Sequence, residues 1–175
     1  MDENSARERA EVTLTVNGRR YRRTVEPRRL LADFLRHDIG LKATHVGCEH
    51  GVCGVCTVRI DGRTARSCLH FAVAVQGGEV ETLEGLSADG WLAILQKAFH
   101  EEHALQCGYC TPAILLTAHE FLSETPNPSE DQIRNALANN LCRCTGYVNI
   151  VKAVARAARE MAAAGGRPAV PGGAS

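Results

Sequence analysis

Residues 11–17, Glu-Val-Thr-Leu-Thr-Val-Asn, alternate apolar and polar positions, the period of a half-buried strand. Asn17-Gly18 is a strong hairpin turn, and Tyr21 to Val25 supplies the return strand. Leu30, Leu31, Phe34 and Leu35 recur at helical spacing, which predicts a short helix across that sheet. Cys56 to Ile60 reads as a further strand, Asp61-Gly62 as another turn, and Glu79 to Leu83 as a last strand. Beyond about residue 88 the period becomes helical. Trp91, Leu92, Leu95, Ala98 and Phe99 form one apolar stripe, and Ile114, Leu115, Ala118, Phe121 and Leu122 another. Pro126 and Pro128 break the chain before Ser129, where Ser129-x-x-Gln132 is a capping box, followed by Ile133, Ala136 and Leu137. A final helix is predicted from about Val148 to Met161. From Ala162 onward the sequence is rich in Ala, Gly and Pro without periodicity, as in a loose tail.

The chain has 175 residues, with 20 Lys+Arg against 20 Asp+Glu. That balance argues against bulk electrostatic binding to nucleic acid or an anionic membrane. No apolar run approaches the roughly 18 residues of a membrane span, and Met1 to Ala10 has no apolar signal core. A cytoplasmic protein is expected. Eight cysteines then need a chemical reason. Reducing surroundings disfavour disulfides, which leaves zinc or iron–sulfur, to be separated by spacing.

Cys48, Cys53, Cys56 and Cys68 read C-x4-C-x2-C-x11-C, the plant-type spacing for a [2Fe–2S] cluster. Zinc ribbons more often use two close pairs, whereas three of these cysteines share one loop and the fourth stands alone. The loop from Gly47 to Cys56 holds three glycines among ten residues. Glycine permits close backbone approach and positive φ, and lets N–H groups turn toward anionic sulfurs. Cys107, Cys110, Cys142 and Cys144 form a second set: C-x2-C, 31 intervening residues, then C-x-C. By spacing alone these two pairs could hold zinc or a [2Fe–2S] cluster. Thr111-Pro112 predicts a helix start, with Thr111 as the cap and Pro112 in the first helical position. Cys107 and Cys110 would sit just before that helix, where its free N–H groups favour an anionic cluster. The pattern predicts an α+β protein. An N-terminal β-grasp ferredoxin-like domain spans residues 11–86 and a C-terminal four-helix-bundle [2Fe–2S] domain 88–162. Residues 163–175 form a flexible tail.

Other chemistry-bearing residues have plainer readings. His45 and His50 flank the first cysteine loop, and hydrogen bonding there is favoured over ligation because each set already has four thiols. His100, His103 and His119 lie on helical segments and are expected at a surface or interface. Arg19, Arg20, Arg22, Arg23, Arg28 and Arg29 crowd eleven residues, which fits a solvated hairpin or a subunit-docking surface better than a nucleic-acid patch. Arg143, between two cysteines, carries a fixed charge able to tune a cluster or pack on a partner.

Three motifs carry a resemblance: Gly47-Cys-Glu-His-Gly-Val-Cys-Gly-Val-Cys-Thr57, Gln106-Cys-Gly-Tyr-Cys-Thr-Pro112 and Leu141-Cys-Arg-Cys-Thr-Gly-Tyr147. From about residue 11 to 160 the chain resembles the small iron–sulfur subunit of the molybdenum hydroxylases, the family of xanthine oxidase, aldehyde oxidoreductase and aerobic carbon monoxide dehydrogenase. It departs from the family at Ala113 and Asn139, where glycine is usual; neither is a ligand.

The resemblance implies an electron-transfer subunit whose two [2Fe–2S] clusters carry electrons from a molybdopterin centre to FAD during water-dependent hydroxylation. It implies a large molybdopterin subunit and a medium FAD subunit as partners, in a heterotrimer or its dimer. It places the Cys107/Cys110/Cys142/Cys144 cluster beside the pterin and the Cys48/Cys53/Cys56/Cys68 cluster toward FAD. Gln106 resembles the glutamine that hydrogen-bonds the pterin, and Cys144 the ligand whose sulfur approaches it. The chain itself is expected to hold no catalytic residue. Substrate choice among carbon monoxide, aldehydes, purines and N-heteroaromatics lies in the partner, and the resemblance of the run His103 to Cys107 leans toward N-heterocycle enzymes. The competing function class is a non-enzymatic zinc- or cluster-binding interaction module.

Overall fold

The computed structural model describes residues 9–87 and 89–165. Strands β1 (Ala10–Val16) and β2 (Arg19–Val25) form the hairpin, turning at Asn17 and Gly18 with φ of 51° and 72°. Val12, Leu14 and Val16 on β1 are fully buried, while the residues between them are partly or largely exposed, so the sequence alternation is a real in/out pattern. β3 (Thr57–Ile60), β4 (Arg63–Arg66) and β5 (Glu79–Glu81) complete a five-stranded sheet in the order β2-β1-β5-β3-β4. β1 and β5 pair in parallel, with Thr15 opposite Glu79 and Val16 opposite Val80; the other pairs are antiparallel. β2 is an edge, and its arginines discourage pairing with another strand.

The crossing helix and β5 differ from the sequence reading. The crossing helix is one α turn, α1 (Leu31–Asp33), that widens into a π turn over Phe34–Asp38. There Ile39 N–H donates to Phe34 C=O (3.1 Å) and Leu41 N–H to Leu35 C=O (2.8 Å). β5 stops at Glu81 instead of Leu83, because Thr82 N–H donates to Asn17 Oδ1 (2.8 Å) and turn bonds take over from Thr82.

Four helices follow: α2 (Gly90–Glu101), α3 (Thr111–Glu124), α4 (Glu130–Leu137) and α5 (Val148–Ala163). Asp89 caps α2 by accepting from Trp91 N–H and Leu92 N–H. The capping box of α4 is formed in both directions, Ser129 with Gln132. α5 continues two residues past Met161, so the predicted tail begins later; residues 166–175 lie outside the described residues.

The hydrophobic interior has two parts. Val12, Leu14, Val16, Val25, Leu31, Phe34, Leu35, Val58 and Val80 pack beneath the sheet. The second part joins the helices around Leu92, Leu95, Phe99, Ile114, Leu116, Ile133 and Ile150. Trp91 and Phe99 are buried there as the stripe predicts, and Phe121 is half-buried against it. Val55, from the first cysteine loop, belongs to the helical core, so that loop is anchored across the two halves. No helix among the described residues is long and apolar enough to cross a membrane.

Candidate metal centres

The first cysteine loop leaves the π turn and folds on its glycines. Gly51 and Gly54 hold φ of 84° and 74°, which only glycine adopts freely. A Cβ on Gly47 would stand 3.1 Å from Cys53 Sγ, so the backbone crowds the sulfur as expected. Cys53 N–H points at Cys48 Sγ (3.4 Å). That amide and the one of His50 hold the Cys48 thiol down to about 6. The distant Cys68 is brought in by a 3-10 turn, Ser67–Leu69, whose Ser67 N–H and hydroxyl both donate to Cys56 C=O (3.2 and 2.7 Å). Burial, then its contact with Cys56 and the charge of that thiol, push Cys68 up to about 11.

The second set assembles from helix ends. Cys110 is itself the cap residue of α3, with Thr111 and Pro112 inside the first turn. This is one residue earlier than the sequence suggests, because Thr111 N–H is already turned back to Gly108 C=O (3.2 Å). Cys142 and Cys144 lie between α4 and α5. Cys107 Sγ and Cys144 Sγ are 3.4 Å apart, though 37 residues separate them in sequence. Tyr109 N–H points at Cys107 Sγ (3.5 Å) and Thr145 N–H at Cys142 Sγ (3.5 Å). Cys110 is buried, and burial followed by its contact with Cys142 pushes it up to about 12. Cys107, Cys144, Gln106 and Arg143 are exposed. Exposed Leu105, Tyr109, Leu141 and Val148 neighbour them in sequence, an apolar surround of the kind that marks an interface.

The two sets are stitched to each other. Leu141 N–H donates to Cys53 C=O (2.8 Å), so one hydrogen bond and one residue separate the backbone of Cys53 from Cys142. Asn140, buried, donates through Nδ2 to Gly54 C=O (3.2 Å), and Arg66 donates to Asn139 C=O (2.9 Å). Tyr109, between Cys107 and Cys110, donates its hydroxyl to Val46 C=O (2.8 Å), and its ring stacks on His45 with centroids 4.4 Å apart. Ala113 is buried in α3, and neither it nor Asn139 has positive φ, so both departures from glycine are unstrained.

Sequence reasoning missed a second seam. His119, expected at a surface, is 4% exposed. Its Nδ1 lies 2.6 Å from Arg59 Nη2 and its Nε2 3.1 Å from Asp89 Oδ2. Arginine can only donate, so Nδ1 accepts, Nε2–H donates to Asp89, and the ring is neutral. Burial first, then the Arg59 charge, lower the His119 pKa. Leu115, Leu116 and Leu122, at helical spacing from His119, were the available signal. The other histidines lie nearer expectation: His45 and His50 bond backbone carbonyls, of Tyr109 and Cys48, and His100 and His103 are exposed. In the arginine cluster, Arg22 pairs with Glu11, Arg28 with Glu26 and Arg29 with Asp38, while Arg19 and Arg23 lie over Tyr21.

Each set thus offers four thiols; in each, neighbouring thiolate charge opposes the ionisation of the buried member, Cys68 or Cys110, and backbone N–H groups turn toward individual sulfurs. A cationic iron pair relieves that repulsion, and N–H donors suit thiolate sulfur, so the donor sets fit [2Fe–2S] clusters. Among the described residues no three His, Cys, Asp or Glu side chains close on a point that would hold one metal ion.

Comparison with known proteins agrees with this chemistry. Residues 14–85 match the 2Fe–2S iron–sulfur cluster binding domain, and residues 82–155 match the [2Fe–2S] binding domain. The chain is 52% identical to the gamma subunit of caffeine dehydrogenase from Pseudomonas sp. (strain CBB1), over 82% of this chain and 87% of that one. It is 49% identical to the small subunit of nicotine 6-hydroxylase from Paenarthrobacter nicotinovorans, over 86% and 90%. The crystal structure of quinoline 2-oxidoreductase from Pseudomonas putida 86 superposes with a TM-score of 0.83 at 48% identity, covering 90% of this chain and 98% of that chain. With two cluster-binding domains in tandem and such identity over nearly whole chains, the protein belongs to the small [2Fe–2S] subunits of the molybdenum hydroxylases, as part of an oxidoreductase complex.

Proposed function

We propose that this chain is the electron wire of a molybdenum hydroxylase acting on an N-heteroaromatic substrate, carrying electrons from a molybdopterin centre to FAD. A β-grasp ferredoxin-like domain, residues 11–86, uses Cys48, Cys53, Cys56 and Cys68 for the cluster toward FAD. A four-helix domain, residues 88–162, uses Cys107, Cys110, Cys142 and Cys144 for the cluster beside the pterin. Gln106 and Cys144 meet the pterin of a large subunit, and a medium subunit carries FAD, in a cytoplasmic heterotrimer or its dimer.

The observation that carries this reading is the hydrogen bond from Leu141 N–H to Cys53 C=O, which joins the two cysteine sets. Bound [2Fe–2S] clusters supply one-electron carriers, which suits a two-electron oxidation whose electrons must leave singly. The residues of this chain hold those carriers in fixed register. Gly54 lets the first loop press on Asn139, Asn140 and Arg66 lock that contact, and Tyr109 ties the Cys107 turn to Val46. The exposure of Gln106, Cys107 and Cys144 leaves that end of the wire open to the large subunit. The substrate class, which includes the purine ring of caffeine, rests on the caffeine, nicotine and quinoline enzymes among the relatives.

The test is anaerobic mixing of the purified complex with caffeine, nicotine or quinoline while visible absorbance is followed. The reading expects at least one of them to bleach the iron–sulfur bands. Bleaching by dithionite but by no N-heteroaromatic compound rejects the substrate class, and bleaching of only half the dithionite-reducible iron–sulfur absorbance rejects the wire.

A further inference from the structure

Gly146 and Tyr147, the residues that lead from the Cys142 loop into α5, both hold positive φ, 65° and 68°. Glycine enters that region freely, whereas a tyrosine there is strained, and such strain concentrates where a site needs a particular geometry. In this conformation Tyr147 N–H donates to Thr145 Oγ1 (3.2 Å), and the Tyr147 phenol oxygen accepts from Cys142 N–H (2.8 Å). An oxygen that accepts the Tyr147 amide proton has its own hydrogen free for another acceptor. That acceptor is Cys142 Sγ, 3.1 Å away. Among the described residues, this is the one thiol sulfur that meets a side-chain hydroxyl; Thr57 and Ser67, beside the first set, direct theirs to backbone carbonyls.

We infer that the Thr145 hydroxyl donates to the Cys142 sulfur and raises the reduction potential of the second-set centre, with Tyr147 as the positioning residue that aims it. The inference rests on the ligand assignment proposed above. One-electron reduction adds one negative charge to the cluster, part of it carried by the ligand sulfurs. A donor at a sulfur therefore stabilises the reduced form more than the oxidised form. Cys142 alone of the second set has a hydroxyl as well as an amide directed at its sulfur, so the effect is confined to one centre. A centre so raised accepts electrons more readily at the end of the wire nearest the pterin.

The experiment is an EPR-monitored redox titration of the complex containing the full chain, in wild type, Thr145→Val and Thr145→Ser. The second-set signal is assigned as the one that Cys110→Ser perturbs. Thr145→Val should weaken reduction of that centre about tenfold, which is about 59 mV for one electron. The first-set potential should stay in place, and Thr145→Ser should restore the wild-type value. An unchanged second-set potential in Thr145→Val, or an equal shift of both centres, overturns the inference. Loss of the second centre and half the iron in both Thr145→Val and Thr145→Ala also overturns it, since Thr145 then holds the cluster instead of tuning it. A wild-type protein with no [2Fe–2S] signal fails the ligand assignment itself, whereas two intact signals with no shift fail only the role of Thr145.

Discussion

Gly54 is where the two cysteine sets press hardest on each other, and its replacement by alanine measures how much that contact matters. Its φ is 74°, and a Cβ built there would lie 2.1 Å from the Asn139 carbonyl oxygen and 3.1 Å from Asn140 Cα. Carbon and oxygen cannot approach so closely, so the loops must part by at least about 1.3 Å to reach ordinary contact distance. Parting them stretches the Leu141–Cys53, Asn140–Gly54 and Arg66–Asn139 hydrogen bonds together. At about 1 kcal/mol per hydrogen bond, with about 1–2 kcal/mol for alanine in the left-handed region, the loss is about 4–5 kcal/mol. Gly62 provides the control. Its φ is 82°, yet nothing lies within 4 Å of its Cβ position, so Gly62→Ala carries only the conformational cost, about 1–2 kcal/mol. Denaturant unfolding of both variants checks this, with electron transfer between the centres followed in the same samples. Gly54→Ala should lose at least twice as much stability as Gly62→Ala and slow transfer. Equal losses would show that the contact between the sets does not bear on stability, and the account of the seam would fail.

Further expectations concern the seams and the caps. Because the folded His119 pKa lies below its ordinary value, the unfolded chain binds the extra proton first, and stability falls as pH drops below about 6.5. His119→Gln should flatten that part of the stability–pH profile, and an unchanged profile would place its cause elsewhere. Tyr109→Phe removes the 2.8 Å bond to Val46 and should cost about 1 kcal/mol while retaining both centres, as unfolding curves and iron content would show. Ser129→Ala opens the capping box of α4 and should cost about 1 kcal/mol with the EPR spectrum unchanged.

Much of this was legible in the residues. The alternation at Val12, Leu14 and Val16 gives β1, Asn17-Gly18 gives its turn, and Ser129-x-x-Gln132 marks the start of α4, because each signal is local. The two cysteine sets were separable by spacing, and Cys107 and Cys144, 37 residues apart, have their sulfurs 3.4 Å from each other. What escaped depends on tertiary placement. α3 packs against β3 and β4 as well as against α2 and α4, so His119, a single polar residue within the Leu115/Leu122 stripe, is buried where the sequence alone reads a surface side chain. Asn140 and Arg66 matter only because the first loop lies against them. The π turn after α1 and the strained Tyr147 arise from packing and hydrogen bonding that no short-range pattern encodes.

The central claim is that both cysteine sets hold [2Fe–2S] clusters. Its most direct test is a low-temperature EPR spectrum of the dithionite-reduced protein, with iron and zinc quantified on the same sample. The account predicts two distinct rhombic signals and about four iron atoms per chain. Zinc without an EPR signal would contradict it, and one signal with half the iron would mean that one of the two sets does something else.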